Sequence, residues 1–117
     1  MLRYKLYLND ILDAIKKIEK SLDGKSRKYF DIDIDASEAT AMRLQIIGES
    51  VKKIPLEIKS DFDEVNWNNL ANLRNIISHA YFKIDNDMLW EVVKENLPQL
   101  KTVILKIKSD KKYGVRE

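Results

Sequence analysis

The chain has no cysteine, which excludes a disulfide framework, a thiolate nucleophile and a Cys-ligated metal. It has a single histidine, His79, so a His-rich metal site within one subunit is excluded as well. Three glycines and two prolines are too few for a turn-rich all-β fold and favour long helices. No apolar run approaches the roughly 20 residues that a membrane span requires. The opening Met1-Leu2-Arg3-Tyr4-Lys5 passes straight into a charged amphipathic pattern and lacks the apolar core of a signal peptide. The expectation is a cytoplasmic protein without membrane contact, needing neither metal nor other cofactor. Its 117 residues suffice for one hydrophobic core but not two.

What is present is charge, at 34% of residues, and apolar residues at helical spacing. The net charge of +2 is unevenly spread: residues 1–100 carry 15 basic and 17 acidic side chains, residues 101–117 carry 6 and 2. We therefore divide the chain into a helical bundle, 1–108, and a basic C-terminal tail, 109–117. Such a tail suits phosphates or an acidic partner. It equally suits the negative end of a helix dipole, and it lacks the interleaved aromatics of a single-strand binder.

Tyr4, Leu8, Ile11, Ile15, Ile18 and Leu22 alternate spacings of four and three, which predicts a first long helix ending at Asp23-Gly24. Residues 25–35 read as a polar connection anchored by Tyr29, Phe30 and Ile32. A second helix, 36–54, is capped by Asp35 or Ser37 and has two apolar stripes. Ala39, Met42 and Ile46 form one; Leu44, Ile47, Val51 and Ile54 form the other. That pattern calls for neighbours on two sides, either at a bundle centre or across a subunit boundary. Gly48 inside it costs about 1 kcal/mol relative to Ala, which a close backbone approach would explain. Pro55 ends the helix, and a short helical turn near 56–62 is expected in the connector. Asn66 caps a third helix reaching Ser78 or Tyr81. Asp85 caps a fourth, 86–108, with Leu89, Val93, Leu100, Val103, Ile104 and Ile107 inward and a kink near Asn96–Leu97 ahead of Pro98. The expected fold is an all-α, up-and-down four-helix bundle.

The stretch from Asn66 to Phe82 stands apart, because Arg74 is its only charged residue. Leu70, Leu73, Ile76, Ile77 and Ala80 share a core face, while Asn72, Asn75 and His79 lie opposite and Arg74, Ser78 and Tyr81 run along one margin. Amides, hydroxyls, an imidazole and one guanidinium give hydrogen-bonding capacity with little charge, as suits a covered surface. His79 can give or take a proton near neutral pH, and Arg74 can grip a phosphate through two donors. Together they suit cleavage of an RNA phosphodiester without a metal: the imidazole acts on the 2′-hydroxyl or the leaving oxygen, and the guanidinium steadies developing charge. A regular helix would separate them by ~7.5 Å along the axis and by roughly 140° of turn. Either the helix breaks near Ser78 or a second copy completes the site. Plainer roles stand beside this one: His79 as a cap, Tyr81 and Phe82 as core aromatics, Asn72 and Asn75 as interface hydrogen-bonders.

Arg74-Asn75-Ile76-Ile77-Ser78-His79-Ala80-Tyr81 has the form Arg-x4-His-x-Tyr and resembles the signature of HEPN domains, more narrowly of HepT-like toxins. Ile46-Ile47-Gly48-Glu49-Ser50 resembles the family's Ile-Gly-Glu-Ala segment, Val65-Asn66-Trp67 its Trp before the motif helix, and Leu97-Pro98 its later Leu-Pro. Ala80 departs from the acidic residue many relatives carry. The resemblance implies a HEPN-like bundle that pairs as a homodimer, with a higher oligomer left open, its two motifs facing across a cleft. It implies a metal-independent endoribonuclease toxin of a type II or VII-like toxin–antitoxin pair. Arg74 and His79 would be catalytic and Asn75 supporting. The implied partner is a minimal nucleotidyltransferase antitoxin that can silence the toxin by placing AMP on the motif tyrosine, here Tyr81. The alternative is a non-catalytic module that binds a nucleotide or docks a nucleotidyltransferase.

Overall fold

The structure, a computed structural model, describes residues 3–78 and 85–114. The described residues form an all-α bundle without strands. Helix α1 (Tyr4–Leu22) buries Leu8, Ile11, Ile15, Ile18 and Leu22 along the predicted seam. It packs chiefly on α3 (Ile34–Lys52), and α3 in turn packs on the interrupted helix α5 (Trp67–Ala71) and α6 (Leu73–Ser78). The last rod consists of α7 (Asn86–Glu91), a π-helical turn (Val92–Asn96) and α8 (Leu97–Ser109), which closes on α1. Two short helices, α2 (Arg27–Ile32) and α4 (Leu56–Asp61), occupy the connections.

The 25–35 connection is more ordered than its composition suggests. The Ser26 side chain accepts from the Tyr29 N–H and starts α2, whose Phe30 is fully buried against Trp90, with ring centroids 5.2 Å apart. Ile32, expected to anchor this segment, is 73% exposed. The cap of α3 is Asp33 rather than Asp35 or Ser37: its carboxylate accepts from the Ala36 N–H at 3.1 Å. The chain is extended at Asp33 on leaving α2, so the first available carboxylate takes the cap. Ser37 instead donates its hydroxyl to the Ile34 carbonyl.

The caps at Asn66 and Asp85 are where the sequence puts them, accepting from the Asn69 and Met88 N–H groups at 3.1 Å each. Near Pro98 the helix widens rather than simply bending. Proline has no N–H to offer the carbonyl four residues back and its ring crowds that carbonyl. The turn before it opens so that the Leu97 N–H reaches the Val92 carbonyl, five residues back. The inserted residue rotates the face, so that Val92 and Leu97 are buried and Val93, expected inside, is half-buried.

Gly48 meets a close approach. A β-carbon there would lie 3.0 Å from the Leu70 carbonyl oxygen, 3.3 Å from the Arg74 amide nitrogen and 3.4 Å from the Ala71 carbonyl oxygen. The absent side chain therefore lets α3 settle against the backbone of α5 and α6. The two stripes of α3 part company. Leu44, Ile47, Val51 and Ile54 are buried, whereas Met42 and Ile46 remain 65% and 46% exposed.

Past α8 the chain folds back onto the bundle. Tyr113 is buried, donates to the Asp61 carboxylate, and accepts through its backbone carbonyl from the Tyr4 hydroxyl at 2.9 Å. The hydrogen bond to Asp61 raises the Tyr113 hydroxyl above the usual tyrosine pKa. Several lysines at this end have partners within the chain: Lys101 with Glu19, Lys106 with Glu64, Lys108 with Asn9 and Lys112 with Glu57. These contacts favour the solvated helix end over a polyanion-binding tail.

Candidate functional site

The motif helix is set in place from its start. Trp67, nearly buried, donates its indole N–H to the Phe62 carbonyl at 2.9 Å, while Asn66 caps the first turn. Leu70, Leu73 and Ile77 face the core as predicted. The helix is interrupted at Asn72, where ψ flattens to −10°. That break precedes Arg74, and α6 then continues without a further one to Ser78. A break near Ser78, one of the two ways of bringing positions 74 and 79 together, falls where α6 ends at the edge of the described residues.

Arg74 and Asn75 are both exposed. The Asn75 amide donates to the Asn72 side-chain oxygen at 3.3 Å, one turn earlier. His79 and Tyr81 lie outside the described residues, as do the side chains of Ile76 and Ser78. Arg74 and Asn75 therefore stand side by side, and the geometry of the other two positions is not described.

The structure brings to Arg74 the acidic residue of the Ile46–Ser50 segment, Glu49. The Glu49 carboxylate forms an ion pair with Arg74, 3.1 Å from its Nε, and also lies 3.6 Å from Lys52 Nζ. Both partners of the Arg74–Glu49 pair are about half exposed. A pair of that exposure contributes about 0–1 kcal/mol, so its consequence is for geometry more than for stability. The signal in the sequence was Gly48: a glycine inside a helix marks where a second backbone comes close, and its neighbour Glu49 then reaches that second helix.

On the other flank, a cleft of about 380 Å³ separates the motif helix from the last rod. Asn69, Asn72, Glu91 and Asn96 provide amides and one carboxylate, over Leu70, Leu73, Met88 and Val92. Among the described residues, no three His, Cys, Asp or Glu side chains converge as a metal site would need, and no helix is long and apolar enough to cross a membrane.

Fold and site together define an all-helical bundle whose motif helix displays one arginine, paired with a carboxylate, among uncharged amides. The family model described as "Ribonuclease HepT-like" matches residues 11–107, and the chain belongs to that family of RNA-cleaving enzymes. Its relatives include a Methanocaldococcus jannaschii protein named "Gamma-glutamylcyclotransferase and putative RNase", 38% identical over 103 residues. That match covers 88% of this chain but only 46% of the relative, so the chain spans less than half of that longer protein. A Thermococcus cleftensis protein named "Probable ribonuclease HepT" is 39% identical over 98 residues, covering 84% of this chain and 89% of its own length. A Caldanaerobacter subterraneus protein named "Putative RNase" is 30% identical over 101 residues, covering 86% and 90%. No solved structure matches.

Proposed function

We propose that the protein is a metal-independent endoribonuclease toxin whose active site is assembled from the Arg-x4-His motifs of two subunits. Arg74 binds the scissile phosphate and stabilises the charge that develops on it. His79 takes the proton of the 2′-hydroxyl, and the second subunit's copy of the same histidine protonates the leaving 5′-oxygen. The products are a 2′,3′-cyclic phosphate and a free 5′-hydroxyl. Asn75, hydrogen-bonded back to Asn72, supports the substrate beside Arg74.

The observation that carries this reading is the half-exposed Arg74 guanidinium, fixed on an otherwise uncharged helix face. Two further features favour a composite site. A helix continuing regularly past Ser78 would turn positions 74 and 79 roughly 140° apart, and a single motif would then not close on one phosphate. The exposed apolar stripe of α3, Met42 and Ile46, continues one turn further into Glu49 and hence to Arg74. A second copy covering that stripe would bring two Arg74 side chains to the same seam. The amide-lined cleft beside Asn72 offers room for a base flanking the scissile step.

The proposed partner is a minimal nucleotidyltransferase antitoxin. In its silencing reaction the Tyr81 hydroxyl attacks the α-phosphorus of ATP and pyrophosphate leaves. The bound AMP puts a negative charge where RNA phosphate would sit. Growth on induced expression, wild type beside His79→Ala, tests the toxin reading. Arrest by wild type alone, with both proteins equally folded by circular dichroism, is the expected result. Equal growth from both would favour the docking module, with Tyr81 as a site whose mass should then be checked for an attached nucleotide.

A further inference from the structure

We propose that Glu49 is a positioning residue for Arg74: its carboxylate, paired with the guanidinium on the Nε side, leaves the terminal fork facing the RNA phosphate. The inference rests on the ribonuclease reading above and deepens it.

A guanidinium is a rigid plane with five N–H donors, one on Nε and four on the two terminal nitrogens. The Glu49 carboxylate lies on the Nε side of the group, 3.1 Å from that nitrogen. An anion on the Nε side biases the group to one side of the seam, and the terminal donors that match two phosphate oxygens stay available. The carboxylate reaches Arg74 because α3 comes so close to α5 and α6 at Gly48 that a β-carbon there would crowd the Leu70 carbonyl at 3.0 Å. The pair is half exposed, so its outer edge is open to a substrate. Lys52, 3.6 Å from the same carboxylate, leaves the row of three charges net positive, and the seam still attracts an anion.

Positioning and mere neutralisation make opposite forecasts. A free arginine samples several rotamers, so removing the carboxylate lowers the population poised for the phosphate and with it the rate. Removing a carboxylate beside a phosphate site also removes a repulsion, so binding should hold or tighten while turnover falls. Loss of fold does not produce that split.

The test measures kcat on an RNA oligonucleotide, and Kd on the same oligonucleotide with a 2′-deoxy residue at the scissile step, for Glu49→Ala, Glu49→Gln, Glu49→Asp and Arg74→Ala. Glu49→Ala is expected to lose up to about 5-fold in kcat, the population shift that an ion pair of this exposure can supply, with Kd unchanged or lower. Glu49→Gln keeps an acceptor at the same reach and recovers most of the rate. Glu49→Asp keeps the charge but draws it back by one methylene, and stays impaired. Wild-type rates in all three Glu49 variants, with Arg74→Ala inactive, would overturn the positioning role and leave the ribonuclease reading standing. Faster cleavage by Glu49→Ala would also overturn it, making Glu49 a mask on Arg74. An active Arg74→Ala would remove both.

Discussion

An added methyl at Gly48 would press on two carbonyl oxygens and an amide nitrogen of the motif helix, all backbone atoms that cannot swing aside as a side chain would. Alanine gains about 1 kcal/mol of helix propensity over glycine, but forcing a methyl into a packed seam costs about 1–3 kcal/mol. We expect Gly48→Ala to be less stable by about 1 kcal/mol, a fall of about 4 °C in Tm, and to cleave RNA more slowly because Arg74 moves with its backbone. Thermal melts beside cleavage rates check this. A Tm at or above wild type with full activity would show that the seam has slack. Arg74 itself was legible in the sequence, as the sole charge in an uncharged stretch. Its partner Glu49 was not, because which of many exposed carboxylates reaches it depends on how closely two helices approach, a tertiary quantity.

At the scale of elements, the seam of α1, the end of α3 near Pro55, the caps at Asn66 and Asp85, and the short helix α4 were all readable from residue spacing and capping chemistry. The start of α3 was misplaced because three candidate caps lie within five residues, and the course of the chain out of α2 selects Asp33. The π-turn escaped because periodicity analysis assumes a constant phase, and one inserted residue shifts Val93 out of the core. The two stripes of α3 were legible, but only the structure separates the buried one from the exposed one. Covering Met42 and Ile46 with a second copy is the dimer proposed above, and Ile46→Asp places a charge at its centre. Light scattering should show Ile46→Asp as a monomer of retained helicity with RNA cleavage reduced at least tenfold, since burying an unpaired carboxylate costs several kcal/mol. A dimer of unchanged mass and full activity would mean that the subunits pair elsewhere.

For the molecule as a whole, the bundle serves to hold one helix face steady. The core of α1 and α3 fixes the seam, the interrupted motif helix lies on α3, and the last rod walls the cleft on its other flank. Tyr113 is held between Tyr4 and Asp61, and among the described residues Lys101, Lys106 and Lys112 pair with carboxylates within the chain, which reduces the positive field at that end. Affinity for RNA is therefore expected to come from a few contacts at the motif seam, not from a broad electrostatic field. The most direct measurement is cleavage of a single-stranded RNA by purified wild type, Arg74→Ala and His79→Ala, matched in folding by circular dichroism and each assayed with and without a chelator. The account predicts cleavage by wild type alone, unchanged by the chelator and leaving 2′,3′-cyclic phosphate ends. Cleavage by either variant at the wild-type rate, or its loss on chelation, would contradict it.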